Sequence, residues 1–140
     1  MRRYVVTCDA DPATAWSLYA RPGRWHEWSP HLRGAWGLGE PEVREGATGA
    51  VRLLGVVPIP VRIERVESGA RWTWRVGGAV LMDHLVAPRE GARPGCEIAL
   101  ELEAPGPLEA TLHATYGPVI RVLLRNLARV AERSAASAAT

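Results

Sequence analysis

Four tryptophans stand in two close pairs. Trp25 and Trp28 are three apart beside Pro30, and Trp72 and Trp74 are two apart. Indoles supply wide, flat apolar area with few rotamers, so such pairs suit a pocket wall or the centre of a core. Both readings stand for each pair. His84 shares one strand face with Met82 and Val86. A histidine so flanked serves as a satisfied core residue. Alternatively, it orients a ligand oxygen or moves a proton near neutral pH. Tyr116 precedes Gly117 and carries a hydroxyl that can donate. Arg52 and Arg62 would hold a carboxylate or phenolate if turned inward, although outward solvation is the commoner state. Trp36 belongs to a stretch, 34–38, without clean alternation. The aromatic and polar ligand-facing residues expected are thus Trp25, Trp28, Trp36, Trp72, Trp74, His84 and Tyr116. Met82, Leu112 and Ile120 add apolar area. For acid–base chemistry the weak candidates are His84 and Tyr116, with Arg52 to hold an oxyanion.

Other chemistries lack their residues. All 17 basic side chains are arginine, so no lysine can form a Schiff base. His26, His31 and His113 have no metal-ligand spacing, and Cys8 and Cys96 form no Cys-x-x-Cys motif. No metal or cofactor is expected. A net charge of +2 is too balanced to imply nucleic acid. No run of eighteen apolar residues exists to span a membrane, and Asp9 and Asp11 arrive too soon for a signal-peptide core. These features lead us to expect a cytoplasmic protein, with a homodimer left open. The row Arg121, Arg125, Arg129 and Arg133 reads as a solvated helix face.

These residues need elements to position them. The 140 residues are enough for one domain, 1–140, with a real core. Residues 3–8 read as a first strand. Asp9 or Asp11 can cap a helix over 13–20 with Pro12 in its first turn, and residues 24–28 form a second short helical turn. Strands are expected near 33–39, 47–54, 58–67, 70–77, 80–88 and 95–104, separated by turns such as Ser68-Gly69 and Gly77-Gly78. In 70–77, Trp72, Trp74 and Val76 share one face; in 97–103, Glu97, Glu101 and Glu103 share the outer one. From Leu108 to Val130 apolar residues step by three or four, which predicts a long helix, kinked at Gly117-Pro118. Residues 108–116 alternate well enough to fit a strand too. Ser134 to Thr140 should fray. Together these predict an α+β fold in which an antiparallel sheet curls round one long helix, leaving a gap between them.

The order of motifs resembles the START-like (SRPBCC) superfamily, and within it the polyketide cyclase/dehydrase and lipid-transport group. The run Asp11-Pro12-Ala13-Thr14-Ala15-Trp16, followed by Trp25-His26-Glu27-Trp28-Ser29-Pro30, is similar to that group's opening. Glu45 to Gly49, the stretch from Val61 to Trp74, a histidine at His84 and Gly106-Pro107 before the final helix also match. Ser68-Gly69 departs from the proline–glycine often found there. The resemblance implies a helix-grip fold, a seven-stranded antiparallel sheet around a C-terminal helix with two short N-terminal helices. It also implies a cavity for a small hydrophobic, lipid-like or polyketide-like molecule, or a cyclase/dehydratase working in that cavity. In that arrangement the first and last strands pair, which brings Cys8 and Cys96 together. A disulfide is then conceivable, and reduced neighbours are expected.

Overall fold

A computed structural model describes residues 1–30, 32–53, 57–91 and 95–138. His31, half of the Gly55–Pro58 turn and part of the Glu90–Gly95 turn lie outside them. The strands are β1 (Arg2–Cys8), β2 (Leu32–Trp36), β3 (Thr48–Leu53), β4 (Val57–Glu67), β5 (Arg71–Val76), β6 (Val80–Pro88) and β7 (Cys96–Glu103). The helices are α1 (Pro12–Ala20), a 3-10 helix (Pro22–Glu27) and α2 (Gly106–Ala138). All seven strands form one antiparallel sheet in the order β1-β7-β6-β5-β4-β3-β2. This is the helix-grip fold, and its strands fall within one or two residues of the sequence expectation at most ends.

The register follows from the turns. Gly77 and Gly78 both take positive φ, 59° and 77°, a conformation that costs other residues dearly. The turn they make sets Val76 opposite Val80, and the ladder then aligns Trp74 with Met82 and Trp72 with His84. One residue of slip would send every one of these side chains to the other face. At the far edge, Gly49 lets β3 approach β2. A Cβ there would lie 1.9 Å from the Trp36 carbonyl oxygen, so no larger residue fits.

The apolar face is covered by α2. Ile120, Leu124, Leu127 and Ala131 are buried, while Arg121, Arg125, Arg129 and Arg133 are all exposed. Full burial of a leucine or isoleucine contributes roughly 1.5–3 kcal/mol, so this stripe anchors the helix firmly. As expected, one helix runs from its start at 106–108 through Pro118; one expectation for α2 is corrected, since the segment from Ser134 to Ala138, expected to fray, is helical. Pro118 is tolerated because it and Ala114, whose carbonyl loses its donor, both face water. The helix carries past Ser134 because Ala131 is fully buried and Ala135 packs against the core.

The outer sheet face is polar and paired. Arg3 bridges Glu97 and Glu101 at 3.5 and 2.5 Å, so two members of the acidic row are ion-paired across β1 and β7. Asp83, 8% exposed, accepts from Arg71 and, at 2.7 Å, from the Thr73 hydroxyl. Cys8 and Cys96 are register partners at the end of the β1–β7 ladder. Both are fully buried free thiols, and Cys8 Sγ donates to the Ala128 carbonyl of α2 at 3.6 Å.

Candidate functional site: an indole-walled cavity under the long helix

Short helices usually leave their last carbonyls to water. At the end of α1 the indoles take them instead. Trp25 Nε1–H donates to the Tyr19 carbonyl and Trp28 Nε1–H to the Leu18 carbonyl, each at 3.0 Å. The backbone N–H of Val43 takes the Ala20 carbonyl at 2.9 Å. Thus the 3-10 helix is folded back against α1, and its two large rings are turned under the sheet. The Tyr19 hydroxyl donates to the Ala99 carbonyl at 2.9 Å, tying α1 to β7. Asn126 of α2 donates to the Trp28 carbonyl at 3.4 Å.

Between these pieces lies a cavity of about 220 Å³. β5 and β6 supply Trp72, Trp74, Val76, Val80, Met82 and His84; β3 and β7 add Val51 and Leu100. Tyr19, Trp25, Trp28 and Ser29 close one end, and α2 covers it with Leu112, Tyr116, Ile120, Leu123 and Leu124. No Asp, Glu or Arg is among the lining residues.

The aromatic side chains hold one another. The His84 and Trp72 rings stack at 3.6 Å and 1°, and Trp25 stacks on Trp72 at 5.6 Å and 13°. Trp74 stands edge-on to Trp25, Trp72 and His84 at 5.2–5.5 Å. Packing of this kind fixes rotamers, so the wall is rigid before any ligand arrives. Two indole donors in it, Trp72 Nε1 and Trp74 Nε1, are buried without a hydrogen-bond partner. Each such orphan costs about 1–3 kcal/mol.

His84 is 3% exposed, and burial pulls its pKa down to about 3 against the weaker upward pull of nearby carbonyls and Asp83. The ring is therefore neutral at pH 7. Its Nδ1 lies 3.1 Å from the Trp72 carbonyl, which can only accept, so Nδ1 carries the proton and Nε2 the lone pair. Burial pushes the Tyr116 phenol up to about 12, so it stays protonated.

Trp25, Trp28, Trp72, Trp74, Met82, His84, Leu112, Tyr116 and Ile120 thus meet around one space. Two expected residues do not. Trp36 is 48% exposed, because β2 pairs with β3 so that Trp36 opposes Ala50, on the face opposite buried Val51. Arg52 is exposed on the same outer face, with its guanidinium 5.7 Å over the Trp36 ring. It cannot hold an oxyanion in the cavity. Arg62 is likewise exposed. His113 meets the Tyr4 hydroxyl at 2.5 Å outside the cavity, and His26 is exposed. Among the described residues no cluster of three or more His, Cys, Asp or Glu could hold a metal, and no helix is long and apolar enough to cross a membrane.

Sequence reasoning missed Tyr19, Ser29, Leu32, Val51, Val76, Val80, Leu100, Leu123 and Leu124 as lining residues. Tyr19 and Leu100 were visible as apolar positions on amphipathic elements, but only the packing of α1 on β6 and β7 shows that they border open space.

A curled seven-stranded sheet gripping a long helix around an aromatic cavity defines the class of the protein. The chain belongs to the polyketide cyclase/dehydrase and lipid-transport family, whose profile matches residues 3–132. No curated protein matches the sequence. Among solved structures, a Nitrosomonas europaea protein superposes with a TM-score of 0.73 at 12% identity, covering 96% of each chain. A Deinococcus radiodurans protein gives 0.62 at 21% identity, covering 96% of this chain and 97% of that one. Ara h 8.0201 gives 0.67 at 10% identity, covering 93% and 95%. At such identities the likeness is one of fold.

Proposed function

We propose that residues 1–140 act as one binding domain that holds a small hydrophobic molecule between β5, β6 and α2. The observation that carries this reading is the unfilled, almost wholly apolar space whose aromatic wall is already locked. Binding there recovers apolar burial without ordering the wall. Membership of a family that includes lipid transport supports it.

The cyclase/dehydratase reading is the alternative, because His84 and Tyr116 line the same cavity. It is weaker on chemical grounds. A general acid at neutral pH needs a proton to give and a pKa near its working range. His84 near 3 and Tyr116 near 12 lie on the wrong sides of that range. Arg52, the expected oxyanion partner, is outside.

The test is titration with the uncharged probe N-phenyl-naphthylamine, read by quenching of tryptophan fluorescence and by melting temperature. Saturable quenching and a raised melting temperature are expected. Ile120→Trp, which fills the cavity from α2, should abolish both. Equal binding by the filled variant would place the ligand elsewhere and overturn the reading.

A further inference from the structure

Cys8 and Cys96 take no part in the cavity wall, yet the fold brings them together. They are direct register partners across the antiparallel β1–β7 ladder. Residues paired in this way have Cα atoms about 4.5–5.5 Å apart and side chains on one face of the sheet. A disulfide needs Cα atoms roughly 4.4–6.8 Å apart, so the pair meets that requirement with its backbone where it stands. Both thiols are free and fully buried.

The two sulfurs are hydrogen-bonded to each other, and Cys8 Sγ–H donates onward to the Ala128 carbonyl of α2 at 3.6 Å. The bond between them lowers the Cys8 thiol and raises that of Cys96, so Cys8 is the member that ionises first. Their place in the sheet matters as well. β1 is an edge strand, with β7 as its single neighbour, and Cys8 is its last residue. Just beyond, the Asp9 N–H donates to Glu132 and the Asp9 carboxylate accepts from Arg89, each at 2.9 Å. Both ties are exposed, and exposed polar pairs hold weakly. A covalent link between the two sulfurs would be the strong fastening at this end of the sheet.

The geometry points to Cys8 and Cys96 as a reversible dithiol–disulfide clasp, a site of oxidative modification that fastens the end of β1 to β7. The clasp is independent of the binding role proposed above. Its oxidant is a peroxide. The Cys8 sulfur attacks one oxygen of hydrogen peroxide, the O–O bond breaks, and the departing hydroxyl leaves with the Cys8 proton as water. The Cys96 sulfur then attacks the sulfenic sulfur of Cys8. The S–O bond breaks, the S–S bond forms, and the hydroxyl leaves with the Cys96 proton as a second water. Two thiols have together lost two electrons, and one peroxide has become two waters. A dithiol reductant reverses the link by thiol–disulfide exchange. Because both sulfurs are shut in, the reaction waits on local opening of the β1–β7 end and is slow beside that of an exposed thiol.

The test exposes the folded, reduced protein to hydrogen peroxide overnight, followed by non-reducing peptide mapping, intact mass and thermal melts. A peptide joining Cys8 to Cys96 within one chain and a mass lower by two hydrogen atoms are expected. The melting temperature should rise by about 5–10 °C, because the link closes the long stretch between positions 8 and 96. Dithiothreitol should restore the original mass and melt. Cys96→Ala should gain neither link nor rise. Should that variant fail to fold, the peptide map and melts of the unmodified protein still decide. Four results overturn the clasp: thiols untouched after the exposure, oxygen added without a link, a link between two chains, or a linked chain that melts no higher than the reduced one. None of them bears on binding in the cavity, which the fluorescence titration tests separately.

Discussion

His84 and Trp72 face each other across β5 and β6 in direct register, their rings 3.6 Å apart and 1° from parallel, while His84 Nδ1–H donates to the Trp72 carbonyl. The imidazole is thus held by one partner residue through both ring and backbone. Its Nδ1 proton is held by that carbonyl, and the ring is almost wholly buried.

That enclosure makes stability depend on pH. The folded-state pKa of His84 is about 3, below its value in an unfolded chain near 6.5. Between those values the unfolded state binds more protons, so stability rises with pH and is lost as pH falls. Between about pH 6 and pH 4, urea denaturation should lose on the order of 1 kcal/mol per pH unit from this group. His84→Phe should flatten that slope. An unchanged slope in the variant would assign the acid sensitivity to the carboxylates.

Trp36 and Trp74 should behave oppositely. Trp36 is half exposed and touches Arg52, so Trp36→Ala should cost under about 1 kcal/mol and leave probe affinity unchanged. Trp74 forms part of the cavity wall, and Trp74→Ala should cost about 3 kcal/mol and weaken the probe at least tenfold. Thermal melts and fluorescence titrations of the two variants check both halves.

Asp83 is the nearly buried acceptor for Arg71 and Thr73 on the outer face. Asp83→Ala leaves both donors unsatisfied and should cost about 1–3 kcal/mol. Thr73→Val removes one bond and should cost about 1 kcal/mol. Neither should alter probe affinity, because both residues point away from the cavity. A change in affinity would show that the two sheet faces are coupled.

Cys8 and Cys96 are shut beneath α2; the hydrogen bond between them, with burial second, raises the Cys96 thiol above its ordinary value, while the same bond lowers that of Cys8. A chromogenic thiol reagent should therefore find no thiol in the native protein on the minutes timescale and both at once in denaturant. Fast labelling without denaturant would mean that the β1–β7 end opens readily.

Much of the architecture was legible because its signals are local. Alternation placed Trp72 and Trp74 on one face, paired glycines marked the β5–β6 turn, and the apolar stripe traced α2. Trp36 was not legible, since residues 34–38 lack alternation and the facing of β2 depends on its register with β3. The stripe carried α2 through Pro118, but the helical state of Ser134 to Ala138 was not legible, because it depends on Ala131 and Ala135 meeting the core. As for the cavity, the pattern identified half of its wall residues, whereas the outward turn of Arg52 and the tautomer of His84 are properties of the assembled sheet.

The β1–β7 pairing bears on synthesis at the ribosome. Cys8 finds Cys96 only after the whole meander has been made, a delay of roughly 5–20 s at ordinary elongation rates. During that time β1 is an unmatched ribbon, and the indoles of Trp25, Trp28, Trp72 and Trp74 have no roof until α2 emerges. The nascent chain is therefore most adhesive just before its last segment appears, and that interval is when a chaperone has most to offer it.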